Sequence, residues 1–547
     1  MKRVLAGAST AAVVCALVSV TSPAAHAAGA TLSVPSRYRT ITAAIAAARS
    51  GDTVLVAPGT YRENITISGK YVKVKASSSN PAQTVIAGNS GRSPVMFQNV
   101  PSSGGASLQG FRIVSGSAPS GQGGAITVAN NASPRIQGND IESNRSEDGG
   151  GILVYNHSSP TIIYNTIKNN TASTFGGGVF AVIGSSPQIY GNTITGNHAY
   201  GGGGIYLEDD VSHTSYRSTP NVSRNNITNN RASQAGGGIM LRTGVNAVIA
   251  RNTISGNAAP YGGGIHLETT GSTPTVTTNV ITGNSAITSA SQPGSGSGGG
   301  IAVFGKSRPG IGHNTITGNR ASKFGGGIVL AESSVSVVTG NNIAKNSVVG
   351  TEAGAAGGGI FEANSDSQMV NNVLRQNTAP VGGGVAVSGT GSWTLVNNTV
   401  VSNTATQGGQ AAGGGLYVSR KTSGKMSVVN NVFNSNNDYQ IFEYGAFATY
   451  YNNLVTNDGR GMFFSFSAHP ITTISALNNS AQVYAVDNVT GSPGFLNGPA
   501  FDYRIAASSP AVDTARSVGA PTVDIRNVHR PTGVRADIGA YEYKPGA

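Results

Sequence analysis

The sequence contains 547 residues, of which 77 are glycine, 11% are charged and 6% are aromatic. Its glycine content is twice the usual roughly 7%, which favours thin layers of short side chains over a conventional globular core. The net charge of +12 favours acidic partners, but the basic residues form no stripe interleaved with aromatic residues, so nucleic acid is excluded as an expected partner. The only cysteine, Cys15, lies in a predicted leader, which excludes disulfides and thiol catalysis in the mature chain.

Residues 1–27 have the features of a secretory signal peptide. A basic start is followed by an apolar run over residues 11–20, and small residues mark a cleavage site before Ala28. The run is too short to span roughly 30 Å of hydrocarbon. We therefore expect a secreted, extracellular protein whose mature chain has no integral membrane segment.

Residues 28–83 are predicted to form an N-terminal cap and the first coil. Strand patterns occupy residues 53–57 and 63–67, with a turn predicted over residues 58–61. Apolar residues with helical spacing precede them and indicate a short amphipathic helix that covers the first coil. These residues are Ile41, Ala44, Ile45 and Ala48.

Three consecutive glycines, followed by a β-branched or aliphatic residue, occur ten times in the middle of the chain. Successive copies lie 25 to 36 residues apart, which indicates a unit near 26 residues with insertions in some copies. Such a period is typical of a solenoid and is shorter than the roughly 33 to 47 residues of helical repeats. The copies begin at Gly149, Gly176, Gly202, Gly236, Gly262, Gly298, Gly325, Gly357, Gly382 and Gly413.

An Asn-x-Ile motif keeps the same spacing. Because stacked strands lie about 4.8 Å apart, a residue repeated in every coil forms a ladder, and buried asparagines can then hydrogen-bond the coils above and below. Glycine reaches positive φ and permits close backbone approach, which suits a tight repeated corner. The pattern therefore predicts a parallel β-helix. The predicted ladder contains Asn165, Asn192, Asn225, Asn252, Asn279, Asn314, Asn341, Asn371, Asn397 and Asn430.

With these motifs the chain resembles secreted parallel β-helix proteins of the pectin-lyase-like superfamily. The resemblance implies an all-β fold, a single right-handed solenoid with a short N-terminal helical cap and a modified C-terminal end. The handedness rests on this resemblance and on the general rule for parallel crossovers. Residues 84–455 are assigned to the repeats. Residues 456–547 resemble a C-terminal segment of many secreted bacterial β-helix proteins, so their acidic and basic residues are interpreted as structural.

One group of ionisable residues is predicted on the outer face of the solenoid. Side chains alternate in and out along each strand that follows a triple glycine. On three successive strands the outer column holds Glu208, Arg242 and Glu268, and the column beside it holds Tyr206 and His266. An insertion follows the first of these strands directly. It contains Asp209, Asp210, Tyr216 and Arg217.

This group suits acid–base chemistry on a sugar polymer. Two carboxylates roughly 6.5 to 9.5 Å apart are typical of inverting glycoside hydrolysis, and Glu208 and Glu268 lie two coils apart, about 9.6 Å at the backbone. Alternatively, Glu208, Arg242 and Glu268 form a surface salt-bridge ladder that only stabilises the sheet.

Elimination is a third possibility for the same residues. Arg242, His266 or Tyr206 would then act as the base, and Asp209 and Asp210 would hold calcium, so a calcium cofactor is possible. Substrate contacts are assigned to Tyr206, Tyr216 and Arg217.

Other candidate residues are interpreted as structural. Glu332 and Glu362 are expected at turns, and Trp393 is expected to pack in the core. The Asn-Thr-Asp and Gly-His-Gly motifs of polygalacturonase-like enzymes are absent from the sequence, so the resemblance assigns no catalytic residue.

Two functions remain open at this point. The first is a secreted enzyme, lyase or glycoside hydrolase, that binds and cleaves an extracellular acidic polysaccharide. The second is a non-catalytic surface or matrix protein that binds glycans or cell-wall polymers.

Overall fold

The computed structural model describes residues 29–545 except 90, 101–104, 210–216, 290, 293, 351–353, 408–411, 420–423, 446–447, 459–460 and 466–468. The predicted signal peptide lies outside these described residues. None of the helices in the described part of the chain has the length and apolar character needed to cross a membrane.

Parallel strands wind into one long solenoid, which confirms the predicted parallel β-helix. Each complete coil passes through four sheets, which we name A, B, D and C in the order in which the chain meets them. Each strand pairs in parallel with its counterpart in the next coil, as Ile162 does with Ile189 and Ile167 with Ile194. The regular register keeps equivalent residues of successive coils in straight columns along the solenoid axis.

The described strands of sheet A are Thr31–Val34, Thr53–Val56, Lys73–Ala76, Ser107–Gln109, Arg135–Gln137, Thr161–Ile163, Gln188–Tyr190, Asn221–Ser223, Val248–Ala250, Thr275–Thr277, Gly310–Gly312, Val337–Thr339, Ser367–Val370, Trp393–Val396, Met426–Val429, Ala448–Tyr451 and Tyr484–Val486. Those of sheet B are Gly59–Arg62, Thr84–Ala87, Arg112–Val114, Asp140–Glu142, Thr166–Lys168, Thr193–Thr195, Asn226–Thr228, Thr253–Ser255, Val280–Thr282, Thr315–Thr317, Asn342–Ala344, Val373–Arg375, Thr399–Val401, Val432–Asn434 and Leu454–Val455.

The described strands of sheet C are Ile65–Ser68, Val95–Gln98, Ile126–Ala129, Ile152–Val154, Val179–Ala181, Ile205–Leu207, Ile239–Arg242, Ile265–Glu268, Ile301–Val303, Ile328–Ala331, Ile360–Ala363, Val385–Ser388, Leu416–Val418, Tyr439–Glu443, Gly461–Ser465 and the antiparallel His469–Ile471. Those of sheet D are Arg145–Ser146, Thr171–Ala172, His198–Gly201, Arg231–Ala235, Ala258–Ala259, Ser285–Ala286, Arg320–Ala321, Ser347–Val348, Thr378–Ala379 and Thr404–Ala405. A separate antiparallel pair is Phe495–Asn497 and Asp502–Ile505.

Apolar side chains from sheets A, B and C fill the interior. Buried isoleucine, valine and leucine form one continuous cluster that runs from Leu32 near the first coil to Ala485 near the last. In a typical coil, Ile162, Ile167 and Val179 are completely buried. The core is therefore a narrow apolar column, as the low aromatic content predicts.

Two asparagine ladders hold the corners together on either side of sheet B. In the first, Asn165 Nδ2 donates to Asn192 Oδ1 at 3.0 Å and to Ile136 O at 2.9 Å. The second ladder lies five residues further along each coil, where Asn170 Nδ2 donates to Asn197 Oδ1 at 3.0 Å. Each side-chain amide thus donates to one side-chain oxygen and to one backbone carbonyl, and without these bonds the buried acceptors would be unpaired.

The predicted ladder is wrong by one residue in its last coils. Asn372 continues it, since its backbone N–H donates to Asn398 Oδ1 at 2.8 Å, and Asn398 donates in the same way to Asn431. The preceding asparagines, Asn371 and Asn397, have φ near +53° and bond to the C-terminal segment instead. Each of these coils carries two consecutive asparagines. Only the second stands two residues before the buried strand residue, as Asn372 does before Leu374 and Asn398 before Val400.

The triple glycines form the corner between sheets D and C. At Gly262 φ is +61°, a left-handed conformation that favours glycine. At Gly263 the need is for space, because a Cβ atom there would lie 2.5 Å from Ser285 O and 2.7 Å from Gly299 O. At this corner the backbones of successive coils therefore lie too close together to leave space for a Cβ atom.

The N-terminal end is closed by the helix Ile41–Ala47, which agrees with the predicted cap. Its N-terminus is capped by Thr40 Oγ1, which accepts from Ala43 N at 3.0 Å, and by the Glu63 carboxylate, which accepts from the first two backbone N–H groups. The predicted turn at residues 58–61 is wrong, because Gly59–Arg62 is a strand.

At the other end, the helix Ile474–Asn478 closes the first asparagine ladder. Asn478 Oδ1 accepts from the backbone N–H of Asn488 at 3.1 Å and from its Nδ2 at 2.9 Å. Asn488 in turn accepts from Asn453 Nδ2 at 2.9 Å. The ladder therefore ends on an acceptor from outside the repeats.

The C-terminal segment folds back over the outer face of sheet B. Asn397 Nδ2 donates to Asp537 O at 2.8 Å, and Ala540 N donates to Thr399 Oγ1 at 3.0 Å. Within the segment Arg530 is almost completely buried, and its Nη1 atom lies 3.1 Å from Glu542 Oε2. These contacts agree with the structural interpretation of its charged residues.

Candidate functional site

A groove runs along the outer face of sheet C and contains the strongest candidate site. The residues before most of the triple glycines pair with their counterparts in the next coil, and side chains such as those of Phe175, Tyr261 and Phe324 pack over sheet C. The resulting groove has a volume of about 480 Å³ and crosses five consecutive strands, from Ile239–Arg242 to Ile360–Ala363. Four inter-strand steps give it a length of about 19 Å. We call it the sheet C groove.

Four tyrosine and phenylalanine rings and the His266 imidazole line the groove. The Phe304 ring contacts Tyr261 edge-on, with ring centroids 5.6 Å apart, and stacks on the His266 ring at 5.5 Å. Further along, Phe324 and Phe361 stack with centroids 4.3 Å apart. Such π-faces bind apolar surfaces of a ligand, and here they follow one another at the spacing of the coils.

Glu268 lies one coil in from the end of the groove at Met240, and it has two partners. Its Oε2 atom is 3.6 Å from His266 Nε2 and 3.7 Å from Arg242 Nε. The His266 imidazole lowers the pKa of the Glu268 carboxyl most strongly; partial burial opposes this effect, and the Arg242 guanidinium adds to it. Because its side chain is 43% exposed, Glu268 presents an ionised carboxylate to the groove.

A second carboxylate, Glu332, lines the same groove. It follows the strand Ile328–Ala331 in a left-handed turn with φ of +58°, which agrees with its predicted position at a turn. Register places it two coils beyond Glu268, about 10 Å at the backbone. Glu332 was not predicted as a site residue, because it lies one residue past the outer column. Its position could have been found from the sequence, because Glu332 directly follows a predicted strand and the coils on either side carry aromatic residues near the triple glycines.

Tyr206 and Glu208 lie beside the groove. Tyr206 points away from the β-helix core as predicted, yet it is completely buried, because Phe175 stacks on it with ring centroids 4.4 Å apart and Phe180 packs edge-on at 5.2 Å. Its hydroxyl donates to Glu208 Oε2 at 3.0 Å. Burial raises the pKa of Tyr206 well above its ordinary value. Tyr206 therefore has no exposed surface in this structure, and the substrate contact expected of it stays a prediction.

The expected calcium site does not fit Asp209. Its side chain is almost completely buried, Oδ1 accepts from Gly184 N at 3.0 Å and Oδ2 accepts from Ser218 N at 2.7 Å. Both carboxylate oxygens are therefore occupied by backbone N–H groups, one of them at the end of the insertion. Among the residues that the structure describes, no group of three or more His, Cys, Asp or Glu side chains is arranged to hold a metal ion.

Three other predicted residues belong to the insertion that follows the strand Ile205–Leu207. Asp210 and Tyr216 lie outside the described residues. Arg217 is exposed, and its guanidinium donates to Gly271 O.

Glu362 was predicted at a turn, and this prediction is wrong. It lies within the strand Ile360–Ala363, points into the solenoid and is 1% exposed. Its Oε1 accepts from Ser365 Oγ at 3.0 Å, while Oε2 has no hydrogen-bond partner among the described residues. Burial raises the pKa of this carboxyl well above its ordinary value. Trp393 packs in the core at 1% exposure, as predicted.

A larger groove of about 640 Å³ lies elsewhere, on sheet A. Its described lining includes one carboxylate, Asp366, and one ammonium, Lys425, but no aromatic residue. Asp366 Oδ1 accepts from Ser392 N at 2.6 Å. This groove lacks the paired carboxylates of the sheet C groove.

Residues 62–219, 212–294 and 287–433 match the family model described as a right-handed β-helix region. A comparison with curated proteins found no match.

Several solved structures align with the chain at low identity. The pectate lyase Pel9A is 13% identical with a TM-score of 0.26, covering 92% of this chain and 91% of its own. A PL6 family polysaccharide lyase from Pseudopedobacter saltans is 12% identical with a TM-score of 0.26, covering 89% and 98%. The catalytic unit of a thermostable α-1,3-glucanase from Streptomyces thermodiastaticus is 17% identical with a TM-score of 0.33, covering 70% and 64%. At these values the chemistry has to be inferred from the residues of this chain.

Proposed function

The chain belongs to the right-handed β-helix family, and from that premise we propose that it binds a polysaccharide along the sheet C groove and cleaves it by hydrolysis. One observation carries the proposal: an ionised carboxylate, Glu268, and a second carboxylate, Glu332, lie two coils apart in a groove walled by aromatic rings. The predicted leader supports an extracellular site of action.

In the proposed hydrolysis one carboxylate is the general base and the other is the general acid. Their backbones lie two coils apart, about 10 Å, a spacing compatible with the roughly 6.5 to 9.5 Å between the carboxyl groups of inverting enzymes, which leaves room for a water molecule beside the sugar ring. Glu268 takes a proton from that water, because its lowered pKa keeps it in the basic form. Glu332 supplies the proton that the leaving glycosidic oxygen takes up. This assignment replaces the pair of Glu208 and Glu268.

Elimination fits the same residues less well. It requires a base at the sugar ring, but Tyr206 is completely buried. The Tyr206 hydroxyl and nearby carboxylates raise the pKa of Arg242 despite its burial, so the guanidinium stays protonated. His266 has Nε2 beside Glu268 and Nδ1 buried. Hydrolysis therefore agrees better with the geometry.

The first test is turnover by the chain from Ala28 onward on a panel of neutral and uronate-containing polysaccharides. We expect new reducing ends without the ultraviolet absorbance of unsaturated uronates. Glu268→Gln should lower the rate by about 10²-fold or more, since general-base catalysis contributes roughly 10² to 10⁴. The matched control is Glu147→Gln, an exposed carboxylate outside the groove, which should keep full activity.

Other outcomes would separate the alternatives. Ultraviolet absorbance with reducing ends would show elimination and contradict the assignment of Glu268 and Glu332. Retention on a polymer without products would favour the non-catalytic glycan-binding protein.

A further inference from the structure

We infer that the sheet C groove selects an uncharged polysaccharide over a uronate polymer. This inference rests on the proposed function and identifies its substrate class. It differs from the acidic substrate that the positive net charge of the whole chain favours, because the charges that matter are those facing the ligand.

The groove itself is acidic. Glu268 and Glu332 both line it, and none of the described lining residues is a lysine or an arginine. A uronate in this groove would bring a third carboxylate close to these two, and like charges repel most strongly where water is partly excluded. Recognition of a carboxylate normally uses the fork of an arginine or a lysine ammonium, and the described groove wall offers neither.

The cations nearest to the groove already have partners. Arg242 lies 3.7 Å from Glu268, and it also interacts with Tyr206 and Glu208. The Lys323 ammonium lies over the Phe324 ring, 5.5 Å from its centroid. A uronate would have to displace one of these interactions before it gained its own.

The remaining wall suits neutral sugar rings. The faces and edges of Tyr261, Phe304, Phe324 and Phe361 can pack against the apolar C–H faces of hexoses. Gln234, Ser297 and Asn364 supply uncharged hydrogen-bonding groups along the same lining. Because these residues come from consecutive coils, the glycan chain would lie parallel to the solenoid axis and span about 19 Å of groove.

Binding can be measured without turnover by using Glu268→Gln in affinity electrophoresis through gels that contain dextran, laminarin, mannan, pectate or alginate. We expect at least one neutral polymer to retard the protein, with an affinity at least tenfold above that for either uronate polymer. The retardation should persist at about 0.5 M NaCl, because stacking is not screened by salt.

Charge reversal within the groove sharpens the test. Glu332→Lys should increase pectate or alginate binding at least tenfold, whereas Glu147→Lys makes the same change in net charge outside the groove and should not. Phe304→Ala should abolish retardation by the neutral polymer while circular dichroism remains unchanged. If Phe304→Ala does not fold, Glu332→Gln provides a second variant, and it should bind uronates more tightly than the parent Glu268→Gln protein.

Three results would overturn the inference. Salt-sensitive binding of a uronate polymer in preference to the neutral ones would contradict it, yet it would leave cleavage at Glu268 and Glu332 intact. Equal gains in uronate binding from Glu332→Lys and Glu147→Lys would show that net charge, not the groove, sets selectivity. Absence of binding and cleavage for every polymer would contradict both the inference and the proposed function.

Discussion

His266 controls the ionisation of Glu268, and this gives a test at the scale of single residues. The imidazole lowers the pKa of the carboxyl, so the acidic limb of the kcat/KM profile should lie below the ordinary glutamate value of about 4.3. His266→Ala removes the main cause of the shift and should move this limb upward. His266→Gln, which keeps a hydrogen-bond donor, should move it less. An unchanged limb in both variants would show that Glu268 is not the titrating base.

Glu362 gives a second prediction at this scale. Its pKa is raised by burial, so the folded protein holds its proton more tightly than the unfolded chain. Its contribution to stability is therefore complete below about pH 4.3, the unfolded pKa, and is lost as the pH rises through the folded pKa. Glu362→Gln should abolish this loss.

The measurement for Glu362 is denaturant unfolding of the parent and the variant at several pH values. The difference in midpoint between the two proteins should grow in favour of Glu362→Gln as the pH rises, since other titrating groups cancel in the comparison. The surface control Glu147→Gln should show no such trend. A difference independent of pH would mean that the buried carboxyl does not titrate over this range.

Sequence reasoning located several site residues but not their environment. Period-two alternation and the repeat length place Arg242 and Glu268 on adjacent strands, and the structure pairs them directly. The burial of Tyr206 was not predictable from its own strand, because the covering ring, Phe175, comes before a different triple glycine. Glu362 was misplaced because a carboxylate facing an apolar core contradicts the usual pattern.

At the scale of elements, the glycine corner makes a sharp prediction. Gly263→Val would drive a side chain into the backbone of the neighbouring coil, which no rotamer can relieve. We expect loss of cooperative folding or destabilisation by more than about 3 kcal/mol. The control is Gly310→Val, because Gly310 lies in a strand with negative or extended φ, and a Cβ atom added there would meet none of the described atoms within 4 Å.

Thermal unfolding followed by circular dichroism compares the two glycine variants. Gly310→Val should remain within a few degrees of the parent, since its side chain meets open space. A soluble Gly263→Val protein that unfolds at the parent temperature would contradict the close-approach explanation.

The elements themselves were largely predictable, because the same motif is repeated in every coil. The first asparagine ladder follows from Asn-x-Ile spacing up to Asn341, and the error at Asn371 reflects a choice between two adjacent asparagines. The second ladder, which includes Asn170, was missed because its glycine-rich surroundings resemble an ordinary turn. The strand Gly59–Arg62 was not predicted, because Pro58 precedes it and Gly59 is its first residue, and a Pro-Gly pair is typical of a turn.

At the scale of the whole molecule, the C-terminal segment should open independently of the coils. Arg530 is buried and donates to Asp537 O and Gly539 O, both at 2.7 Å, as well as to Glu542. Arg530→Met removes these bonds and leaves Glu542 without its cation, a change that typically costs roughly 3 to 5 kcal/mol.

Hydrogen exchange followed by mass spectrometry tests this independence. Faster exchange in Arg530→Met should be confined to residues 494–545 and to the strands of sheet B beneath them, such as Thr399–Val401. Peptides from the sheet C groove should exchange as in the parent. Uniformly faster exchange along the chain would show that the segment and the solenoid unfold as one unit.

The first asparagine ladder also has a direction, and this matters at its C-terminal end. In each rung the backbone N–H and one side-chain N–H donate to the asparagine of the next coil, so the last rung would leave two buried donors without an acceptor. Asn478 occupies that position and accepts from Asn488. This one side chain from outside the repeats thus acts as a terminator of the column of donors.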